Sequence, residues 1–263
     1  MNFAMPPIST PAQGLRTVLA LLAPAVLAAP SASAAELVSS RAGLGANELL
    51  DWGVLFTPPP PGAPPFSFLA NNFSAPPLAS GLVVGGSIVP EPFPTSPPFI
   101  FQTTAQGIPT NFAPNDYILF TGINTQNFIG GNDSPITLTF STPVFGAGAQ
   151  FLPDVRPDQV VVPGEPVPFT GTIAAYDVDN NLIASFAIAG LVSEALDNSA
   201  GFFGIRSSEA NIARLVFSHD FEGIGSGINA VSILTVPEPS SLAGVLLLIG
   251  AGRLAWRRRR VLP

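Results

Sequence analysis

Cysteine and lysine are both missing from this chain of 263 residues, and histidine occurs once, as His219. Without cysteine there is no disulfide, no thiolate nucleophile and no thiolate metal site. One histidine cannot build a histidine-based metal cluster. Charge of either sign is scarce, with charged residues at 10% against about a quarter in an ordinary soluble domain. Positive charge is the scarcer kind. Arg16, Arg253 and Arg257–Arg260 lie near the ends. Residues 35–235 keep Arg41, Arg156, Arg206 and Arg214 against sixteen acids, a balance of −12. A surface of that sign repels phosphate, so nucleic acid is excluded as an expected partner. A Gly-x-Ser-x-Gly elbow and a phosphate-cradling glycine loop are absent too.

Apolar residues are plentiful. They make up 47% of the chain, which has 20 Phe and 30 Pro. Two terminal stretches account for part of this. Near the start, Arg16 precedes the apolar run Val18–Ala29, and Ala32-Ser33-Ala34 follows. This order of charge, apolar run and small residues predicts a secretory signal peptide over residues 1–34, removed by signal peptidase. At the other end stands Val236-Pro237-Glu238-Pro239, whose two prolines fix φ and remove two N–H donors. Ser240–Trp256 follows, largely apolar and interrupted by Arg253, then Arg257, Arg258, Arg259 and Arg260. As a helix, Ser240–Trp256 would be about 25 Å long, close to the hydrocarbon thickness of a bilayer. The four arginines predict a cytoplasmic stop for one C-terminal transmembrane helix, with the body outside.

This tail resembles the PEP-CTERM sorting signal of Gram-negative bacteria. The resemblance rests on Pro237-Glu238-Pro239, the apolar segment and the arginine run, and covers about 28 residues at 236–263. It implies recognition by an exosortase-like membrane enzyme, processing near the Pro-Glu-Pro, and delivery to the cell surface or exopolysaccharide matrix. It further implies transient residence in the inner membrane and a role in biofilm-forming species. The tetrapeptide Val-Pro-Glu-Pro also occurs at Val89–Pro92. There it is followed by a proline-rich stretch that cannot span a membrane and has no basic stop. A membrane-embedded enzyme reaches only the copy that a helix holds at the membrane surface.

Between the ends, short runs with period-two alternation recur, separated by Gly, Pro, Asn and Asp. Strands are predicted at Tyr117–Thr121, Ile136–Phe140, Ala149–Leu152, Phe169–Tyr176, Leu182–Ile188, Phe202–Arg206, Ile212–Ser218 and Ile228–Leu234. Leu215 and Phe217 fall on one face of their strand, and Arg214, Val216 and Ser218 on the other. Residues 57–116 hold half of the prolines, so long loops are expected there, with edge strands at Leu82–Val84 and Phe99–Thr103. The expected fold of residues 35–235 is all-β: one antiparallel β-sandwich of jelly-roll type. The segments "GANELLDWG", "NFAPNDYILFT", "PITLTFSTPVFGAGAQF", "GTIAAYDVDNNLIASF" and "GFFGIRSSEANIARLVFS" also resemble a module that recurs in PEP-CTERM proteins. That likeness implies one β-sandwich domain and no catalytic activity.

Little else in the body points to chemistry. His219, in "FSHDFEG", reads as an exposed residue at a strand end. Sixteen acids permit a catalytic carboxylate pair, but spacing selects none. Asp177, Asp179 and Asn181 cluster oxygen ligands between two predicted strands. Leu182 and Ile188 stand where an EF-hand loop needs Gly and Glu. A hairpin turn and a calcium site completed by remote acids both remain open. No other cofactor is expected. The expected function is that of an exported, non-enzymatic surface or matrix protein. A carbohydrate-binding module for matrix glycans is the alternative, and an extracellular hydrolase the third reading. Exposure of Trp52, Tyr117 and Tyr176 together on one face would favour glycan binding.

Overall fold

Every strand pairing among the described residues is antiparallel, in a computed structural model that describes residues 34–91, 94–103, 110–126, 130–154, 166–193 and 195–235. The sorting tetrapeptide at 236–239, the apolar segment and the arginines at 257–260 lie outside the described residues, as does the predicted signal peptide up to residue 33. No helix among the described residues is long and apolar enough to cross a membrane.

The strands are β1 (Ala35–Val38), β2 (Glu48–Leu50), β3 (Ser67–Phe68), β4 (Asn72–Ser74), β5 (Val84–Ser87), β6 (Phe99–Gln102), β7 (Tyr117–Phe120), β8 (Ile136–Val144), β9 (Gly146–Pro153), β10 (Val167–Tyr176), β11 (Leu182–Val192), β12 (Phe202–Ser207), β13 (Ile212–His219), β14 (Ser226–Ile228) and β15 (Val231–Leu234). They form two sheets. A nine-stranded sheet runs β1-β12-β9-β14-β7-β6-β3, with β15 joining β9 to β2. A six-stranded sheet runs β11-β10-β13-β8-β5-β4. The protein is all-β, as its alternating runs predict.

Alternation puts one face of each sheet into a shared core. Leu215 and Phe217 of β13 are buried while Arg214, Val216 and Ser218 are half-exposed, as predicted. The ring of Phe151 on β9 lies 6.0 Å from Phe217 and 6.2 Å from Phe169, both in the six-stranded sheet. Phenylalanine supplies the bulk that such a core needs without a polar atom to satisfy. Glycine makes room for it: a Cβ at Gly171 would lie 2.1 Å from the Phe203 ring.

Two expectations require correction. Leu82–Val84 and Phe99–Thr103 were expected at sheet edges. Instead β5 lies between β8 and β4, and β6 between β7 and β3. The prolines stop short of both strands, so every strand residue keeps its N–H and each strand pairs on two sides. The run Ile228–Leu234 is also not continuous. It breaks at Asn229-Ala230, and β14 and β15 both pair with β9, on either side of the break. There the Asn229 side chain replaces the main chain: its Oδ1 accepts the Gln150 N–H at 3.0 Å.

One short helix packs near this break. Helix α1 (Arg41–Leu44) starts at Ser40, whose side chain accepts from the Gly43 N–H, and stops at Gly45 in the left-handed region, φ 65°. Ser at the N-cap and Gly past the end are the residues these positions favour. The helix fixes Arg41 beside the strand break.

Candidate functional site

A cleft of about 660 Å³ opens over the break at Asn229, with Arg41, Asp51, Asp116, Gln150 and Asn198 in its wall beside Leu49 and Phe202. Asn229 is its hub and is 3% exposed. Its Oδ1 also accepts from Arg41 Nη2 at 3.3 Å. Its Nδ2 donates to Asp116 Oδ2 at 3.0 Å and to Gln150 Oε1. Its main-chain N–H donates to the Gln150 carbonyl, and its own carbonyl accepts from Trp52 Nε1 at 3.0 Å. Every polar group of Asn229 is therefore engaged, as a buried amide requires. Gln150 extends the network, donating from Nε2 to Asn198 Oδ1 and to the Ala200 carbonyl, both at 2.9 Å.

Burial lowers the pKa of Arg41, and the Asp116 charge opposes that shift. The Arg41 guanidinium stands 5.9 Å from the Phe202 ring centroid. Ridge and floor are thus pinned from several elements: α1, the loop before β7, β9 and the β14–β15 break. The Asn229 and Gln150 amides are spent on each other and on their neighbours, which leaves the guanidinium fork of Arg41 and the Asp116 carboxylate, held in fixed positions, as the donor and acceptor at the cleft wall. Such an arrangement suits an uncharged ligand rich in hydroxyls, each of which both donates and accepts.

A second cluster ties three loops together. Glu91, from the first Val-Pro-Glu-Pro, accepts the Asp133 N–H on Oε1. The two carboxyl groups are also hydrogen-bonded to each other. Asp133 Oδ2 accepts the Gly223 N–H at 2.6 Å, and Asn132 Nδ2 donates to the Val89 carbonyl at 2.9 Å. Burial, then the neighbouring Asp133, pushes Glu91 up to about 7. The bond from Glu91 and the Gly223 N–H hold Asp133 low. Of the two, Glu91 is therefore the one that holds a proton below about pH 7. Glu91 Oε2 is buried with no hydrogen-bond partner among the described residues.

This pair is a clasp. Its carboxyls touch, whereas glycoside hydrolysis needs roughly 5 Å or more between them for a sugar carbon or a water. His219 sits beside it at the end of β13 rather than in an exposed turn. Its Nδ1 accepts the Phe221 N–H at 3.2 Å, and the Ile224 main chain also acts on the ring. Burial lowers its pKa against the pull of Asp133 and Asp220.

The loop Asp177–Asn181 closes on itself. Asp177 Oδ1 accepts from the N–H groups of Asp179 and Asn181 at 3.0 and 2.8 Å, and Oδ2 from Asn181 Nδ2 at 2.9 Å. These donors, the Asn181 side chain foremost, lower the Asp177 pKa. Asn180 takes the left-handed conformation, φ 68°, which asparagine tolerates. No three His, Asp or Glu side chains converge to hold a metal among the described residues.

The three non-Phe aromatics of the body do not share an open face. Trp52 is fully buried, Tyr117 packs on Phe56, and Arg214 covers the Tyr176 ring at 4.0 Å. Sequence reasoning missed the Asn229 cleft because positions 41, 116, 150 and 229 share no spacing pattern. The one usable signal was scarcity, since Arg41 is one of four arginines in the body.

No family model and no curated protein matches the chain. Among solved structures, it is similar to a DUF4465 family protein from Bacteroides caccae, at 9% identity and a TM-score of 0.27, over 61% of this chain and 86% of that one.

Proposed function

We propose that this is an exported, non-enzymatic protein of the cell surface or exopolysaccharide matrix. Its body is a jelly-roll β-sandwich, and its tail is a sorting signal. In this reading signal peptidase removes residues 1–34, and residues 240–256 hold the precursor in the inner membrane. An exosortase-like enzyme then processes it at Val236, Pro237, Glu238 and Pro239.

One observation carries the reading. Thr235, immediately before the tetrapeptide, is bonded back to the body: its N–H donates to Asn47 Oδ1, and Asn47 Nδ2 donates to Thr235 Oγ1, both at 2.8 Å. Processing at 236–239 therefore leaves every strand of the described residues in place. At the other end β1 begins at Ala35, next to the expected signal peptidase site. The test is the intact mass of the mature protein from its own cells, with and without Glu238→Ala. A wild type ending near 236–239, with a variant that keeps its tail, supports the reading. A wild type that retains Arg257–Arg260 makes the tail a plain anchor.

The Asn229 cleft favours a second role within the first, binding of matrix glycans. Hydroxyl-rich ligands match its guanidinium and carboxylate groups. The aromatic platform common in sugar sites is not part of this proposal, since Trp52 and Tyr176 are covered. Titration of the protein with the cells' own exopolysaccharide, repeated with Arg41→Ala, decides it. Unchanged binding in the variant removes the cleft from the account.

A further inference from the structure

We propose that β11 is a homodimerisation edge, pairing antiparallel with β11 of a second copy. Sheet edges expose unpaired N–H and C=O groups, and proteins blunt them with short strands, charge or proline. Four other edges among the described residues are blunted. β3 has two residues, and β2 and β4 have three each. β1 has Glu36 in an ion pair with Arg206. β11 has eleven residues, LIASFAIAGLV, with no charge and no proline. It pairs with β10 alone among the described residues.

The ladder shows which groups are open. The Thr170 N–H bonds Asp220 Oδ1, and its carbonyl accepts the Asp220 N–H. Thr170 thus faces β13, and its partner Ala189 turns both main-chain groups away from β10. The same alternation turns out those of Ala187 and Ser185. A bulge at Ile183 limits the regular edge on one side. On the other, the Leu191 carbonyl is already taken by Asn111 Nδ2 at 3.1 Å. The open stretch is therefore Ala184–Gly190.

That stretch matches itself. A twofold axis at Ala187 pairs Ala187 with its copy and Ser185 with Ala189, using every outward group. No charge meets its like across the seam, which matters where acids outnumber arginines sixteen to four. The exposed side chains at 185, 187 and 189 are Ser, Ala and Ala, small enough for close approach. On the inner face Phe186 and Ile188 pack on the core yet stay half-exposed, while Phe169 and Ile173 on the adjoining β10 are buried. A second β11 would complete their cover.

The test uses the full chain as its cells produce it, purified and measured by light scattering. Wild type should show twice the chain mass, and Ala187→Lys one chain mass with an unchanged circular dichroism spectrum. Because the protein has no cysteine, Ala187→Cys places a single thiol at the axis, which a short bismaleimide should link into a covalent dimer. Ser74→Cys, on the β4 edge, should not link. A monomeric wild type overturns the proposal, whether the edge is bare or covered by another segment of the same chain. So does a dimer that survives Ala187→Lys, or a dimer of Ala187→Cys whose two introduced thiols fail to link.

Discussion

Trp52 and Asn229 stand 177 positions apart and are joined by one hydrogen bond, from the indole N–H to the Asn229 carbonyl at 3.0 Å. The bond lies at the β14–β15 break, where a buried carbonyl has no strand partner and must find a donor elsewhere. Tryptophan meets two needs at once, filling the core and supplying that donor. Trp52→Phe should therefore cost roughly 2–4 kcal/mol, from lost packing plus an orphaned carbonyl. Urea unfolding should show a lower midpoint at unchanged slope. A variant as stable as wild type would mean water satisfies the carbonyl.

Asn229→Asp preserves shape and reverses chemistry. It removes the N–H donors that face Asp116 Oδ2 and Gln150 Oε1 and sets a second carboxylate beside Asp116. Stability at neutral pH should fall by about 3 kcal/mol. It should recover on acidification, as the new carboxyl takes a proton and donates again. A loss that does not vary with pH would count against the charge argument.

Gly171→Ala tests the seam between the sheets. The new Cβ would lie 2.1 Å from Phe203 Cε2 and 3.3 Å from Phe151 Cδ1. Phe203 cannot step aside freely, with the Phe151 and Phe169 rings 5.4 and 6.3 Å away. The expected cost is roughly 1–3 kcal/mol, read as a lower thermal midpoint.

The Glu91–Asp133 clasp predicts a pH dependence. The folded pKa of Glu91 is raised from 4.5 to about 7. Its contribution is full below 4.5 and is lost as pH rises through about 7. His219 runs the other way. Its folded pKa is lowered from 6.5, so its contribution is full above 6.5 and fades as pH falls. Asp133, lowered from 3.8, adds a loss only at stronger acidity. Glu91→Gln mimics the protonated carboxyl and keeps the bond to Asp133. Its thermal midpoint should match wild type near pH 5 and exceed it increasingly toward pH 8. A constant offset between the two would show that Glu91 does not hold that proton.

The two copies of Val-Pro-Glu-Pro show how far local sequence reaches. For the copy at 236–239 the reading rests on neighbours in the chain: a long apolar run and four arginines. Those are local features, and a sequence displays them. The copy at Val89–Pro92 reads only as a loop. Its Glu91 meets Asp133, 42 residues away, and Asp133 in turn accepts the Gly223 N–H; no spacing announces either contact.

Strand identity and facing were legible for the same reason. Alternation in β13 or β10 records which side of a residue faces oil and which faces water, and that choice repeats every second position. What the tertiary structure alone decided is where strands lie within sheets and which polar groups converge. β5 and β6 are interior because the prolines around them stop just short of the ladder, a matter of one or two residues. The Asn229 cleft gathers Arg41, Asp116, Gln150 and Asn198 from separate elements, and its hub exists because a strand that reads as continuous breaks there. Pairing energies depend on neighbours in space, so composition and period settled an all-β body of low charge. The packing of its two sheets settled where that body is polar, where it is clasped and where its edge is open.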